Sequence, residues 1–137
     1  MILAANTSGI PVPRPTAESE PYWTGCRAGV VKFRRCSDCR LAVFEPRSIC
    51  PRCHGVDLPW EESAGEGQIY SWSVVWRPQT PAFGSPYAPA IVTLDEGFDM
   101  LTAIVGCAPE EIEAGLRVRA EFHAVDDVIT LPFFRPA

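Results

Sequence analysis

No uninterrupted apolar run in the sequence approaches the ~20 residues that span a bilayer, so no membrane-crossing helix is expected. The first residues, MILAANTSGIPVPRP, carry no basic segment and only a very short apolar one, which does not read as a secretory signal. A cytoplasmic, reducing setting is therefore the expectation, and structural disulfides are disfavoured there. Histidine is scarce: His54 and His123 are the only two. There is no G-x-S-x-G, no phosphate-cradling glycine-rich loop and no H-E-x-x-H. A catalytic site is hard to assemble from such a chain alone. With 137 residues, 47% of them apolar and 21% charged, the composition is globular and excludes a disordered or fibrous chain. The length suits one domain, or two small modules sharing a core.

What is present in quantity is cysteine, concentrated in CSDCRLAVFEPRSICPRC, residues 36 to 53. Cys36, Cys39, Cys50 and Cys53 form two C-x-x-C pairs, and four soft thiolates are what a tetrahedral zinc site requires. The ten-residue gap suits two knuckles joined by a β-hairpin. A thioredoxin-like couple would use one pair beside a βαβ pattern, which is lacking here. Iron takes the same ligands, and spacing alone does not separate the two metals. Four cysteines close the coordination sphere, whereas catalytic zinc keeps a position open for water, so the metal is expected to be structural. His54, directly after Cys53, reads as an exposed knuckle residue rather than a competing ligand.

Along the chain, residues 1 to 17 are rich in Pro, Ser and Ala without periodicity and read as a flexible or draped arm. AESEPYWTGCRAG, 17 to 29, predicts a short helix, with Pro21 suiting its first turn and Gly29 its end. VVKFRRC leads as a strand into the first knuckle, and LPWEES leaves the second, so helix and metal module occupy 18 to 63. From 64 to 137 the signals are β-type. Strands are predicted at 67–76, 88–94, 98–106, 116–125 and 128–134, with a short helix in APEEIEAG, 108 to 115. A mainly β protein follows, with five strands and a helix between the third and fourth in the pattern of an OB-fold barrel. A small five-stranded sandwich is the alternative.

The string PYWTGCRAGVVKFRRCSDC, then CPRC, Trp60, GEGQIYSWSVV, PYAPAIVTLDEG, GLRVRAEF and LPFFRP resembles one family from about Glu20 to Pro136. That family joins a rubredoxin-like zinc ribbon to an OB-fold and is associated with acyl-CoA metabolism. The resemblance implies one structural zinc per chain. It also implies an accessory role beside thiolase-superfamily enzymes: acyltransferases, thiolases and retro-aldol lyases of sterol side-chain breakdown. Arg40 and His54 stand where the family often has glycine, and Cys26 where it often has an ordinary apolar residue, so Cys26 is expected to be core packing.

The remaining candidates each have a plain reading beside the functional one. Cys107 is a lone thiol at a strand end, a nucleophile only if His123 serves as its base. The paired acids Glu61-Glu62, Glu110-Glu111 and Asp126-Asp127 sit at junctions and turns, where acids are ordinary. RPQTPAFGSPYAP, 77 to 89, is a stiff loop bordering the usual OB-fold ligand face, so Phe83, Pro86 and Tyr87 are expected to touch a partner or acyl-CoA. The alternative folds that loop back to seal the barrel end. Residues 27 to 52 carry a net charge of +5 on a chain whose remainder carries −10. Arg34 and Arg35 in that basic module are expected to meet phosphates or an acidic partner. Single-stranded nucleic acid is the rival ligand, disfavoured because the barrel portion is acidic. No catalytic residue is assigned, and the sequence reads as an accessory subunit.

Overall fold

The computed structural model describes residues 1–137. Helix α1 (Glu20–Arg27) precedes three short strands, β1 (Lys32–Arg35), β2 (Ala42–Val43) and β3 (Trp60–Glu62), in a sheet of order β2-β1-β3. Five longer strands follow: β4 (Glu66–Trp72), β5 (Ala88–Leu94), β6 (Asp99–Ile104), β7 (Arg117–Ala124) and β8 (Thr130–Pro136). They close as β4-β5-β6-β8-β7, with β4 returning to β7. A closed five-stranded barrel is the OB-fold, and the sandwich alternative falls. All pairings are antiparallel except β6 with β8, which meet in parallel at one registered pair, Ile104 with Phe134.

Period-two alternation fills the barrel. Ala88, Ala90, Val92 and Leu94 of β5 are buried, and meet Ile69, Met100, Ile104, Val118 and Phe134 from the other strands. Closure depends on β4 pairing with two strands at once. Gly67 lies opposite Leu94 of β5 and Val118 of β7, and a Cβ there would stand 2.2 Å from the Thr93 carbonyl oxygen. Only glycine permits that approach.

The helix predicted over 108–115 is a single 3-10 turn, Pro109–Glu111. Ile112 is already extended, at φ −82° and ψ 128°, and buries its side chain. Beyond it the Gly115 N–H donates to the Ile69 carbonyl (2.8 Å), and the Ile69 N–H donates to Leu116 (3.0 Å). Pairing with β4 draws the segment straight. The first predicted barrel strand also ends earlier, at Trp72 rather than residue 76, and Val75 then bridges to Tyr87. The N-terminal segment is draped rather than free over its first residues. Leu3 is buried, its N–H donates to Cys107 (2.8 Å), and its carbonyl accepts from Gly106 (2.8 Å).

The metal-binding sheet has little core of its own, only Cys36, Cys50 and Leu58 with Cys39 and Leu41 beside them. It borrows the barrel's. Phe33, fully buried on β1, stacks on Phe98 at 4.8 Å between centroids, and Phe44 stacks on the same ring at 5.2 Å. Tyr22 of α1 meets Phe44 edge-on at 5.5 Å. At the junction the Glu96 carboxylate accepts from the Ser63 hydroxyl (2.7 Å) and the Ala64 N–H (2.8 Å).

Because one aromatic stack serves both modules, they should unfold together. Denaturant curves followed by circular dichroism, tryptophan fluorescence and metal release are expected to coincide. Phe98→Ala should shift all three by about 3–5 kcal/mol, the usual cost of truncating a buried Phe. Separate transitions would refute the shared core.

Candidate metal centre and apolar barrel face

The two knuckles are built alike. In the first the Arg40 N–H donates to the Cys36 carbonyl (2.8 Å), and in the second the His54 N–H donates to the Cys50 carbonyl (3.0 Å). Each turn forces the residue after its second cysteine into left-handed backbone, Arg40 at φ 66° and His54 at φ 64°. Glycine is the unstrained choice at such positions. Both residues do serve the turns, although neither is a glycine.

The turns bring all four sulfurs within 4.8 Å of one another. Cys36 and Cys53 Sγ lie 3.5 Å apart, Cys39 and Cys50 Sγ 3.6 Å. A tetrahedron with ~2.3 Å zinc–sulfur bonds has edges of about 3.8 Å, so the cage fits the ion. Gly55 makes room: a Cβ there would fall 3.3 Å from the sulfurs of Cys36 and Cys53 and 2.6 Å from an Asp38 oxygen. The backbone N–H of Cys53, aided by that of Arg52, holds the Cys50 thiol down to about 6. At Cys53 the Gly55 N–H acts in the same direction, but the crowded sulfurs of Cys36, Cys39 and Cys50, together with desolvation, push it up to about 12. Four thiolates repel one another unless a cation sits between them. A bound zinc closes the cage and supplies folding energy, not chemistry.

Two arginines of the basic module, Arg34 and Arg35, turn inward, while Arg27, Arg40, Arg47 and Arg52 stay exposed. Arg34 Nε donates to the Leu58 carbonyl (2.7 Å) and Nη1 to that of Arg47 (2.7 Å), with its guanidinium 5.2 Å above Trp60. Arg35 bonds the Glu61 carboxylate (3.0 Å) and the Arg40 carbonyl (3.0 Å). Sequence reading assigned both to phosphates or a partner. In the structure Arg34 ties the 41–59 excursion to the sheet through the Leu58 and Arg47 carbonyls, and Arg35 ties β3 and the first knuckle to β1.

No nucleophile–base pair forms. Cys107 is buried, and desolvation, then the nearby Glu111 charge, raise its thiol. His123 Nε2 is bonded to Glu121 (2.7 Å), which also accepts from Arg135 (2.9 Å). The His123 bond is the main cause holding the Glu121 carboxyl below its ordinary range. Cys26 is fully buried, with its thiol raised to about 11 by desolvation, and is core packing.

The 77–89 loop folds back on itself: Tyr87 exchanges backbone hydrogen bonds with Val75 (2.8 and 3.2 Å), and the Ser85 hydroxyl donates to Trp76 (2.6 Å). Phe83 stays 39% exposed, stacked on Tyr87 at 5.8 Å, and Pro86 is half-buried beside them. These two rings end a groove of about 320 Å³ running along β6 and β8 beneath the N-terminal segment. A shallower groove of about 280 Å³ adjoins it over β4 and β5, and the two share Pro89 and Leu101. Their common face is apolar. Ile91 sits between Ser71 and Leu101 in the ladder, and Leu101 is 78% exposed, with Tyr70 at 68% and Trp72 at 40%. Sequence reading missed Leu101, Ile91, Tyr70 and Trp72. The signal was legible in APAIVTL, which is apolar at nearly every position, whereas a barrel strand with one wet face alternates.

Purified protein is expected to hold one zinc per chain by elemental analysis, and Cys39→Ser or Cys50→Ser should leave it unfolded or insoluble. Iron, or soluble folded metal-free variants, would overturn that assignment. His54→Gly should relieve the left-handed strain and raise stability by about 1 kcal/mol in denaturant melts, with zinc retained. A destabilised variant would show that the His54 side chain contributes more than its backbone costs.

Comparison with known proteins agrees with this architecture. Residues 23–58 match the family model described as ChsH2, rubredoxin-like zinc ribbon domain, and residues 60–123 that described as ChsH2, C-terminal OB-fold domain. A "Probable enoyl-CoA hydratase alpha subunit" of Thermomonospora curvata is 38% identical over 127 residues, 91% of this chain and 40% of that protein. A "DUF35 domain-containing scaffold protein" of Methanocaldococcus jannaschii is 34% identical over 119 residues, 81% of this chain and 82% of that one. The chain thus spans less than half of the hydratase subunit and most of the scaffold protein. Among solved structures, a chain of the Ltp2-ChsH2(DUF35) aldolase superposes with a TM-score of 0.82 at 35% identity, over 91% of this chain and 98% of that one. Four clustered thiols on twin knuckles and a closed five-stranded barrel, matched domain by domain, place this chain in the ChsH2/DUF35 family of rubredoxin-like zinc ribbons joined to OB-folds.

Proposed function

We propose that this chain is the non-catalytic zinc-ribbon/OB-fold subunit of a thiolase-superfamily complex acting on an acyl-CoA. The reaction would be thiolysis, acyl transfer or retro-aldol cleavage, in lipid or steroid side-chain breakdown in the cytoplasm. The observation that carries this reading is the likeness to the Ltp2-ChsH2(DUF35) aldolase chain, at 35% identity over 98% of its length. Relatives named as a hydratase alpha subunit and as a scaffold protein point the same way. The site chemistry supports a non-catalytic role. Four thiolates fill the zinc sphere, His123 is held by Glu121, and Cys107 is buried without a base.

The apolar face over β4, β5 and β6 is the proposed docking surface, since a contiguous exposed patch of this kind marks an interaction site. It also argues against nucleic acid. OB-folds bind oligonucleotides across the equivalent two strands, where basic and stacking side chains are needed. Here the outward positions of β5 and β6 hold Pro89, Ile91, Thr93, Asp99, Leu101 and Ala103, with no lysine or arginine among them. The partner would supply the catalytic thiol or base, most simply with two copies of each chain about the partner's own dimer axis.

The isolated chain should turn over no acyl-CoA, and co-expression with a thiolase-like genomic neighbour should give a stable hetero-oligomer. Leu101→Glu buries a charge at the proposed contact and is expected to weaken that assembly at least a hundredfold by calorimetry. Its zinc content should be unchanged, because the ligands lie in the other module. Turnover by the isolated chain, or a complex indifferent to Leu101→Glu, would sink the proposal.

A further inference from the structure

We propose that the groove beneath the N-terminal segment is a ligand site for an uncharged, largely hydrocarbon group. Its existence follows from the barrel's closure. Strands β6 and β8 meet at one registered pair, so their outer side chains splay apart along the seam instead of interlocking. Leu101 and Ala103 of β6 form one wall, and Leu131 and Phe133 of β8 the other. Leu3 and Ile10 of the N-terminal segment roof it, and the stacked pair Phe83–Tyr87 ends it.

The lining selects the ligand. Asn6 and Thr102 are the only polar side chains in it apart from the Tyr87 hydroxyl. The Asn6 amide donates to the Ala82 carbonyl and the Thr102 hydroxyl to that of Pro132 (3.1 Å). No charged group lines the groove, so an anion, nucleotide or sugar entering it would lose hydration without compensation. A hydrocarbon loses none. At about 320 Å³ the groove lies at the small end of the range that encloses a single organic ligand. It opens onto the docking face through Pro89 and Leu101, so a partner seated there would border its mouth. Resting on the functional reading above, the natural occupant is the distal, apolar end of the acyl group, with thioester and nucleotide left to the partner. Ala103, Leu131 and Phe133 would then limit how bulky an acyl end is accepted.

The test uses the isolated chain and a neutral fluorescent probe, N-phenyl-1-naphthylamine. Saturable binding at one site per chain is expected, with competition by 1-decanol or by 4-androstene-3,17-dione separating straight-chain from polycyclic preference. Ala103→Phe fills the groove and should weaken the probe at least tenfold. Ile10→Asp places a charge at the roof without touching the barrel core and should do the same. Trp76→Ser, exposed but lining neither groove, should bind as the parent does. Absence of saturable binding, groove variants that bind normally, or loss confined to Trp76→Ser would overturn the assignment. Assembly with the enzyme but no probe binding defeats this inference alone, whereas probe binding without assembly defeats the functional reading alone.

Discussion

Everything in the N-terminal half depends on holding four thiolates together. The ribbon sheet has strands of four, two and three residues, too few to bury a core, and two of the three buried residues clustered at the cage are cysteines. Structural zinc is worth about 10–16 kcal/mol in comparable small modules, far more than so short a sheet supplies by itself. The left-handed strain at Arg40 and His54 is small beside that figure, which is why non-glycine residues persist at both knuckles.

Once the cage is closed, β1 becomes a rigid support that presents Phe33 to Phe98 and so fixes the ribbon on the barrel. The basic character of the ribbon follows from the same geometry. A module made mostly of turns leaves carbonyls unpaired, and the Arg34 and Arg35 guanidiniums reach back to accept that role. Their planar, multi-donor heads suit it better than lysine would. Two of the seven basic residues behind the local charge of +5 therefore serve internal bracing, while Arg27, Arg40, Arg47 and Arg52 remain at the surface.

The barrel solves a different problem. Its interior is filled by aliphatic and aromatic residues, yet Pro89, Ile91, Leu101 and Ala103 make much of the outer face of β5 and β6 apolar as well, and Leu101 stays 78% exposed there. Such exposure has a cost in solubility that isolated function would not require. A subunit seated against a larger enzyme, as proposed above, could carry it, and the groove proposed to take an apolar group lies beside that face.

Local chemistry was written in the sequence. The C-x-x-C pairs identified the metal cage, because ligand identity and short spacing suffice when both knuckles are local turns. β-Rich runs bounded by turn signals placed all five barrel strands, with β5 correct to the residue, and alternation marked the buried side in 116–125. The turn or two of helix expected within 108–115 is held to a single 3-10 turn because its competitor, the pairing of Gly115 with Ile69, lies 46 residues away in sequence and carries no local mark. For the same reason the hydrogen bonds of Arg34 and Arg35 carry no local mark: their acceptors at Arg47, Leu58 and Glu61 become neighbours only when the chain folds back. The groove was invisible altogether, since it joins residues 3, 10, 83, 103 and 133 across a seam that barrel closure alone creates. Residue types and spacings settled which metal cage and which strands form; long-range pairing decided which side chains remain free to meet a partner.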